Sequence, residues 1–228
     1  MATRTNRIRL GTMVTPLARR RPWKVAREAA SLDHLSGGRV TLSVGLGDAE
    51  MDSSFWKFGE ELDSHRRASM LDEGLDILAG LWTGEPFSYN GTHFTVDRVT
   101  FLPRPVQTPR IPIWVGGAYP NRGPMRRAAR WDGANFYRAK ATGSAEDSGR
   151  LLTIEEFTHL RDYIAGLRAP DTPFDLVVHP RPDSDSHEDI ARLRSFATAG
   201  ATWSQIWIPP GERREMEQVI ATGPLRID

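Results

Sequence analysis

The sequence predicts an α/β fold organised around a parallel sheet. Six strand-like segments alternate with helix-like segments along the chain, and a single hairpin interrupts the alternation. The helical segments carry apolar residues at three- and four-residue steps, whereas the strand segments are short and β-compatible. Two of the strands end in glycine pairs, Gly45-Leu46-Gly47 and Gly116-Gly117. From alternation alone, a doubly wound sheet and a (β/α)8 barrel both remain open.

Arg7–Val14 reads as the first strand. Pro22 suits the first position of a helix, where its missing N–H is no loss. Val25, Ala29, Leu32 and Leu35 give that helix an apolar face, and Gly37-Gly38 ends it. Arg39–Val44 is the second strand. Asp48 to Leu62 shows no clean period and reads as a loop or a short irregular helix. Leu71, Leu75, Leu78 and Trp82 mark the next amphipathic helix. Phe87-Ser88-Tyr89 and Thr92–Val96 flank Asn90-Gly91, which predicts a hairpin with a type I′ turn, because both central residues need positive φ. Pro103, Pro105, Pro109 and Pro112 make a stiff extended connection.

Ile111–Val115 is the third strand, Met125 to Trp131 a short helix and Gly133–Tyr137 the fourth strand. Ala139 to Arg150 is small and polar and reads as a loop. Thr153 and Glu156 have capping-box spacing ahead of a stripe of Phe157, Leu160, Ile164 and Leu167. Phe174–His179 is the fifth strand. Ser186 caps a helix carrying Ile190, Leu193 and Phe196. Thr202–Ile208 is the last strand and Glu212 to Ala221 the last helix.

Composition narrows the function classes. The 228 residues carry 30 basic and 29 acidic side chains, a formal charge of +1, which argues against a nucleic-acid partner. The absence of cysteine excludes disulfides, iron–sulfur clusters, cysteine-ligated zinc and cysteine nucleophiles. No apolar run approaches the ~18–20 residues of a membrane span, and Met1 to Leu10 lacks a signal-peptide core. The expectation is a soluble cytoplasmic protein. The only lysines are Lys24, Lys57 and Lys140. This arginine bias reads first as codon bias and second as phosphate recognition.

Each motif has a bland reading beside the chemical one. Gly45-Leu46-Gly47-Asp48-Ala49-Glu50 follows a strand but lacks the third glycine of a dinucleotide fingerprint, and no helix opens at Gly47. Gly116-Gly117 repeats the arrangement. Two strand ends that expose backbone favour an anionic cofactor held by main-chain N–H groups. Thr41-Leu42-Ser43-Val44-Gly45 fails as a nucleophile elbow. The histidines form no metal-ligand pattern, so no metal is expected. His179 is the histidine best placed for chemistry, with a structural role the simpler reading. The tryptophans suit core packing. Arg19-Arg20-Arg21 reads as a solvated charge run that alternatively meets phosphate.

RIRLGTMVTPLARRRPWKVAREAASLDHLSGGRVTLSVGLG, FGEELDSHRRASMLDEGLDILAGLWTG, FSYNGTHFTV, LPRPVQTPRIPIWVGG and RRAARWDGANF together resemble the luciferase-like flavin-dependent oxidoreductases, in one order from Arg7 to Asp228. The resemblance implies a single (β/α)8 TIM-barrel-type domain over 1–228. It also implies truncation at the N-terminus, because RIRLGT is similar to the family's third strand and six of eight strands are present. It implies FMN or the deazaflavin coenzyme F420 as cofactor, a small organic substrate, and a homodimer as partner. The reaction implied is hydride transfer or insertion of one oxygen atom.

By the same resemblance, Thr12, Met13 and Val14 match a strand end where many members carry a non-proline cis peptide facing the flavin. Gly45 and Gly47 match the next strand end. Gly116 and Gly117 match the segment approaching the cofactor's phosphate-bearing tail. Arg138 is assigned to that phosphate by its position after the following strand. Asp48 stands where some deazaflavin-dependent relatives have a proton-donating glutamate one carbon longer. The histidine those relatives use has no counterpart here. A non-catalytic flavin-binding or interaction module is the alternative, and a Rossmann dehydrogenase binding NAD a third reading.

Overall fold

The computed structural model describes residues 1–47, 49, 54–139, 152–170, 172–179, 187–206 and 211–223. Asp48, most of the Ala139–Arg150 loop, Ser186 and the end of the last expected strand lie outside them. The chain divides into two compact units, Met1–Gly116 and Gly117–Asp228.

In the first unit, β1 (Leu10–Gly11) and β2 (Thr15–Pro16) both pair in parallel with β3 (Val40–Gly45), and β3 pairs in parallel with β6 (Ile113–Tyr119). The expected strand Arg7–Val14 is therefore two short pieces. Gly11 pairs with Thr41 and Thr15 with Val44, so the first strand takes four steps where β3 takes three. The extra residue makes a bulge over Thr12–Val14, a device that re-aims backbone at a strand end.

Helix α1 (Pro22–Ser36) begins on its proline and ends at Gly37, which adopts a left-handed φ of 66°. Its buried face is Val25, Ala26, Ala29, Ala30, Asp33 and Ser36, whereas Leu35 is exposed. The expectation of Leu35 in the core fails because Asp33 takes the inward position. Its carboxylate accepts from the Val106 and Gln107 amides at 2.8 and 3.0 Å and from the Gln107 side chain at 2.7 Å. This fixes the proline-rich connection.

A short helix α2 (Ser54–Lys57) precedes α3 (Ser64–Trp82). Asp63 caps α3 by accepting from the Arg66 amide. Leu71, Leu75, Leu78 and Trp82 are buried as their spacing predicts, and the Trp82 indole donates to the Ala26 carbonyl.

The hairpin comprises β4 (Pro86–Asn90) and β5 (Thr95–Thr100). Asn90 pairs with Thr95, so the loop holds four residues, Gly91 to Phe94, and Gly91 has no positive φ. The type I′ expectation is corrected. The buried carboxylate of Glu73 accepts from the amides of Thr92, His93 and Phe94, which selects the longer loop.

In the second unit, β7 (Gly133–Arg138), β8 (Asp175–Val178) and β9 (Trp203–Ser204) pair in parallel. Helix α4 (Arg122–Ala128) starts three residues earlier than Met125, with Asn121 at its N-cap. Thr153 and Glu156 form both bonds of the capping box at the start of α5 (Ile154–Ala165). Phe157, Leu160 and Ile164 are buried, and Leu167 lies past the helix end and is exposed. Phe157 meets Phe196 of α6 (His187–Thr198) edge to face at 5.4 Å. Helix α7 (Arg213–Thr222) closes the described chain. Among the tryptophans, Trp82, Trp114 and Trp131 are core residues, but Trp56 is 61% exposed.

Candidate functional site

Strand β3 splits by its two-residue period into apolar Val40, Leu42 and Val44 and polar or small Thr41, Ser43 and Gly45. The second set meets the bulge. Thr41 accepts a 2.9 Å bond from Arg9, and Thr12 Oγ1 donates to the Ser43 carbonyl at 2.8 Å. The Met13–Val14 peptide is cis. A Cβ on Gly45 would lie 3.0 Å from Val14 Cγ2 and 4.0 Å from the Gly116 carbonyl oxygen. The structure thus brings Thr12–Val14, Gly45 and Gly116 together at the C-terminal ends of the strands of the first unit. Thr12 and Met13 are exposed there, while the buried Ser43 hydroxyl lacks a hydrogen-bond partner among the described residues. An orphaned hydroxyl beside exposed backbone suits a ligand with polar atoms.

Gly47 follows β3 with a φ of 72°. A Cβ there would sit 2.8 Å from the Phe55 ring and 2.9 Å from Pro16. Its glycine identity is thus required by backbone and by packing. Arg67, from the first turns of α3, donates to the Leu46 and Gly47 carbonyls at 3.3 and 3.2 Å. Sequence reading passed over Arg67. The available signal was a basic residue near the N-terminus of a helix, where the dipole disfavours a cation.

Two further expected residues, Gly117 and Arg138, lie in the second unit. Gly117 has no room for a side chain, because a Cβ would fall 2.6 Å from Pro124 and 2.7 Å from the Phe136 ring. Arg138 ends β7 with its guanidinium 3.1 Å from Glu156, the capping-box carboxylate. Asp48 lies outside the described residues.

His179 follows β8, and its Nε2 meets the Asn135 side-chain oxygen. Burial pushes its pKa below the usual histidine value, since the cation is the form that loses hydration. An unfolded histidine protonates below about pH 6.5, whereas the folded one stays neutral to lower pH. The stability it contributes is therefore full above that value and is lost as pH falls through the folded pKa. Acid should destabilise the second unit, and His179→Gln should flatten the dependence of thermal midpoint on pH between about 7 and 5. Equal slopes for both proteins would refute this.

The chain is 38% identical over 134 residues to 4-hydroxyprotoasukamycin monooxygenase of Streptomyces nodosus subsp. asukaensis, covering 58% of this chain and 35% of that protein. It is 35% identical over 121 residues to the F420-dependent glucose-6-phosphate dehydrogenase of Microbacterium testaceum, covering 53% and 35%. These matches span about a third of each relative's length. Among solved structures, the coenzyme F420 dependent tetrahydromethanopterin reductase of Methanopyrus kandleri superposes with a TM-score of 0.70 at 16% identity, over 96% of this chain and 83% of that one. The fold is accordingly an α/β parallel-sheet fold of the TIM-barrel type. Residues 1–135, more than half of the 228, match the family model described as luciferase-like monooxygenase, and the chain belongs to that family.

Proposed function

We propose that the chain carries the cofactor face of an oxidoreductase that uses FMN or coenzyme F420 on a small organic substrate. The observation that carries this reading is the convergence of the Thr12–Val14 bulge, Gly45 and the Gly116 carbonyl at one set of strand ends. A bound flavin or deazaflavin supplies hydride transfer or, with oxygen, insertion of one oxygen atom.

The chain's own residues bind and orient the cofactor. In this reading the backbone at Thr12, Met13 and Val14 backs the ring, and Gly45 and Gly47 keep the neighbouring backbone within reach of it. Gly116 and Gly117 run beside the phosphate-bearing tail. Arg138 is the proposed phosphate cation, and binding there would draw it from Glu156. Asp48 is the proposed proton donor at the Gly-Leu-Gly strand end. The F420 dependence of the Microbacterium testaceum relative supports the cofactor class and leaves the choice between FMN and F420 to experiment.

Titration of the purified chain with FMN and F420, followed by fluorescence, tests this. Saturable binding of one of them is expected. Gly45→Val, which pushes on Val14, should weaken that binding at least about tenfold. A chain folded by circular dichroism that binds neither cofactor would overturn the reading. Binding without turnover of any small carbonyl or alcohol substrate would instead support the non-catalytic module.

A further inference from the structure

We propose that the groove between α1 and β5 is a second binding site, built for a small amphipathic carboxylate with an aromatic or branched apolar body. The groove lies within the first unit, and the inference does not rest on the cofactor reading.

The groove has a volume of about 530 Å³, within the ~300–1,000 Å³ typical of small-ligand sites. The buried side chains of Leu81 and Phe101 form its floor. Trp23, Lys24 and Arg27 form the wall on α1, and Val96 and Val99 the wall on β5. Strand register explains how two valines three residues apart share one wall. Val96 pairs with Tyr89 and Val99 with Phe87. Strand β5 takes three steps where β4 takes two, so the extra residue makes a bulge and both valines face the helices. The exposure along β5 agrees: Val96 and Val99 are half-buried, and the other four residues are exposed.

The hairpin is pinned so that it does not close on α1 and bury this apolar surface. Its loop is tied to α3 by the Glu73 carboxylate. The Phe87 ring of β4 fills the space that a side chain on Gly80 would need. Beyond β5, the Leu102 carbonyl accepts from Arg27 at 2.6 Å, and the Arg104 carbonyl meets His34 at 2.8 Å. The groove is therefore preformed, and Trp23 stays 37% exposed in it. Its indole stands edge-on to Phe94 at 6.3 Å. A ring held in that way offers a rigid flat face to an apolar ligand.

Lys24 and Arg27 give the groove its charge. They stand three residues apart on α1 and so share one face of the helix. The Arg27 Cζ lies 3.9 Å from the Phe101 ring centre, and one guanidinium nitrogen is held by the Leu102 carbonyl. This fixes the plane of a guanidinium that has further N–H groups to offer a carboxylate. Lys24 adds a second charge on a flexible stem. Apolar walls disfavour an inorganic anion, whose whole surface seeks water. A carboxylate on an apolar body satisfies both the cations and the walls.

The test titrates the intact chain with naphthoate, and with naphthamide as its neutral counterpart, by calorimetry. Wild type should bind naphthoate with a Kd below about 1 mM and naphthamide at least about tenfold more weakly. Lys24→Glu and Arg27→Gln should each raise the naphthoate Kd about tenfold or more at a nearly unchanged thermal midpoint. Thr95 is an exposed residue lining the groove, so Thr95→Trp should fill the space and abolish binding. Saturating FMN should not displace naphthoate. If Arg27→Gln fails to fold, Lys24→Glu and Thr95→Trp decide.

Wild type that does not bind naphthoate below about 1 mM, or that binds both probes equally, overturns the proposal. So does an unchanged Kd in folded Lys24→Glu and Thr95→Trp. Displacement by FMN also overturns it, because the probe then sits in the cofactor site. A chain that self-associates, that Thr95→Trp dissociates in sedimentation, and that binds no naphthoate would give the groove to a second copy instead. Naphthoate binding is read without FMN, so a chain that takes naphthoate but no flavin overturns the cofactor reading alone.

Discussion

Glu73→Ala is expected to destabilise the first unit by about 3–5 kcal/mol, since it strips an acceptor from three backbone amides at ~1–3 kcal/mol each with incomplete additivity. The carboxylate is 8% exposed and accepts from Thr92 at 2.8 Å, His93 at 2.9 Å and Phe94 at 3.0 Å. Without it, those donors in the hairpin loop face α3 with nothing to bond. For a chain of this size each kcal/mol shifts the thermal midpoint by ~2–4 °C, so a drop of roughly 10 °C is expected. Glu73→Gln keeps one acceptor oxygen in place and should lose about half as much. Denaturant unfolding of the three proteins decides the matter. A Glu73→Ala protein within about 1 kcal/mol of wild type would show that water replaces the carboxylate and that the loop is not held by α3.

Gly47→Ala should cost about 2–5 kcal/mol, and Gly37→Ala only about 1. The two glycines have nearly equal φ values, 72° and 66°. Both substitutions therefore carry the left-handed penalty of ~1–2 kcal/mol at most. The surroundings differ. Nothing lies within 4 Å of a Cβ on Gly37, whereas one on Gly47 meets Phe55 and Pro16 inside van der Waals contact. Overpacking of that kind adds ~1–3 kcal/mol. Unfolding midpoints of the paired variants measure the difference directly. Equal losses would mean that Phe55 moves aside freely, and the rigidity assigned to the turn would fall.

Much of the fold was legible because its signals are local. Pro22 at a helix start, Gly37 at its end, and Thr153 with Glu156 at another start act through bonds within a few residues. The buried stripe of α3 follows from its spacing for the same reason. Three of the expected site segments, Thr12–Val14, Gly45 and Gly116, do lie together at strand ends.

Where the reading failed, a distant group had intervened. Asn90-Gly91 favours a two-residue turn, but Glu73, from another element, satisfies three amides of a four-residue loop. Leu35 matches the apolar period of α1, yet Asp33 is the buried residue, because the proline-rich connection brings amides that need an acceptor. Arg67 carried only the weak signal of a cation at the wrong end of a helix.

By itself, then, the sequence determined the alternation of elements, their caps and the parallel sheet, since periodicity and terminal chemistry are properties of neighbouring residues. The tertiary structure alone decided the bulge at Thr12–Val14, the loop length of the hairpin and the anchoring of the Leu46–Gly47 turn. Each of these depends on a carboxylate, a guanidinium or a strand register supplied from elsewhere in the chain, and a buried polar group must find its partner wherever the fold places one.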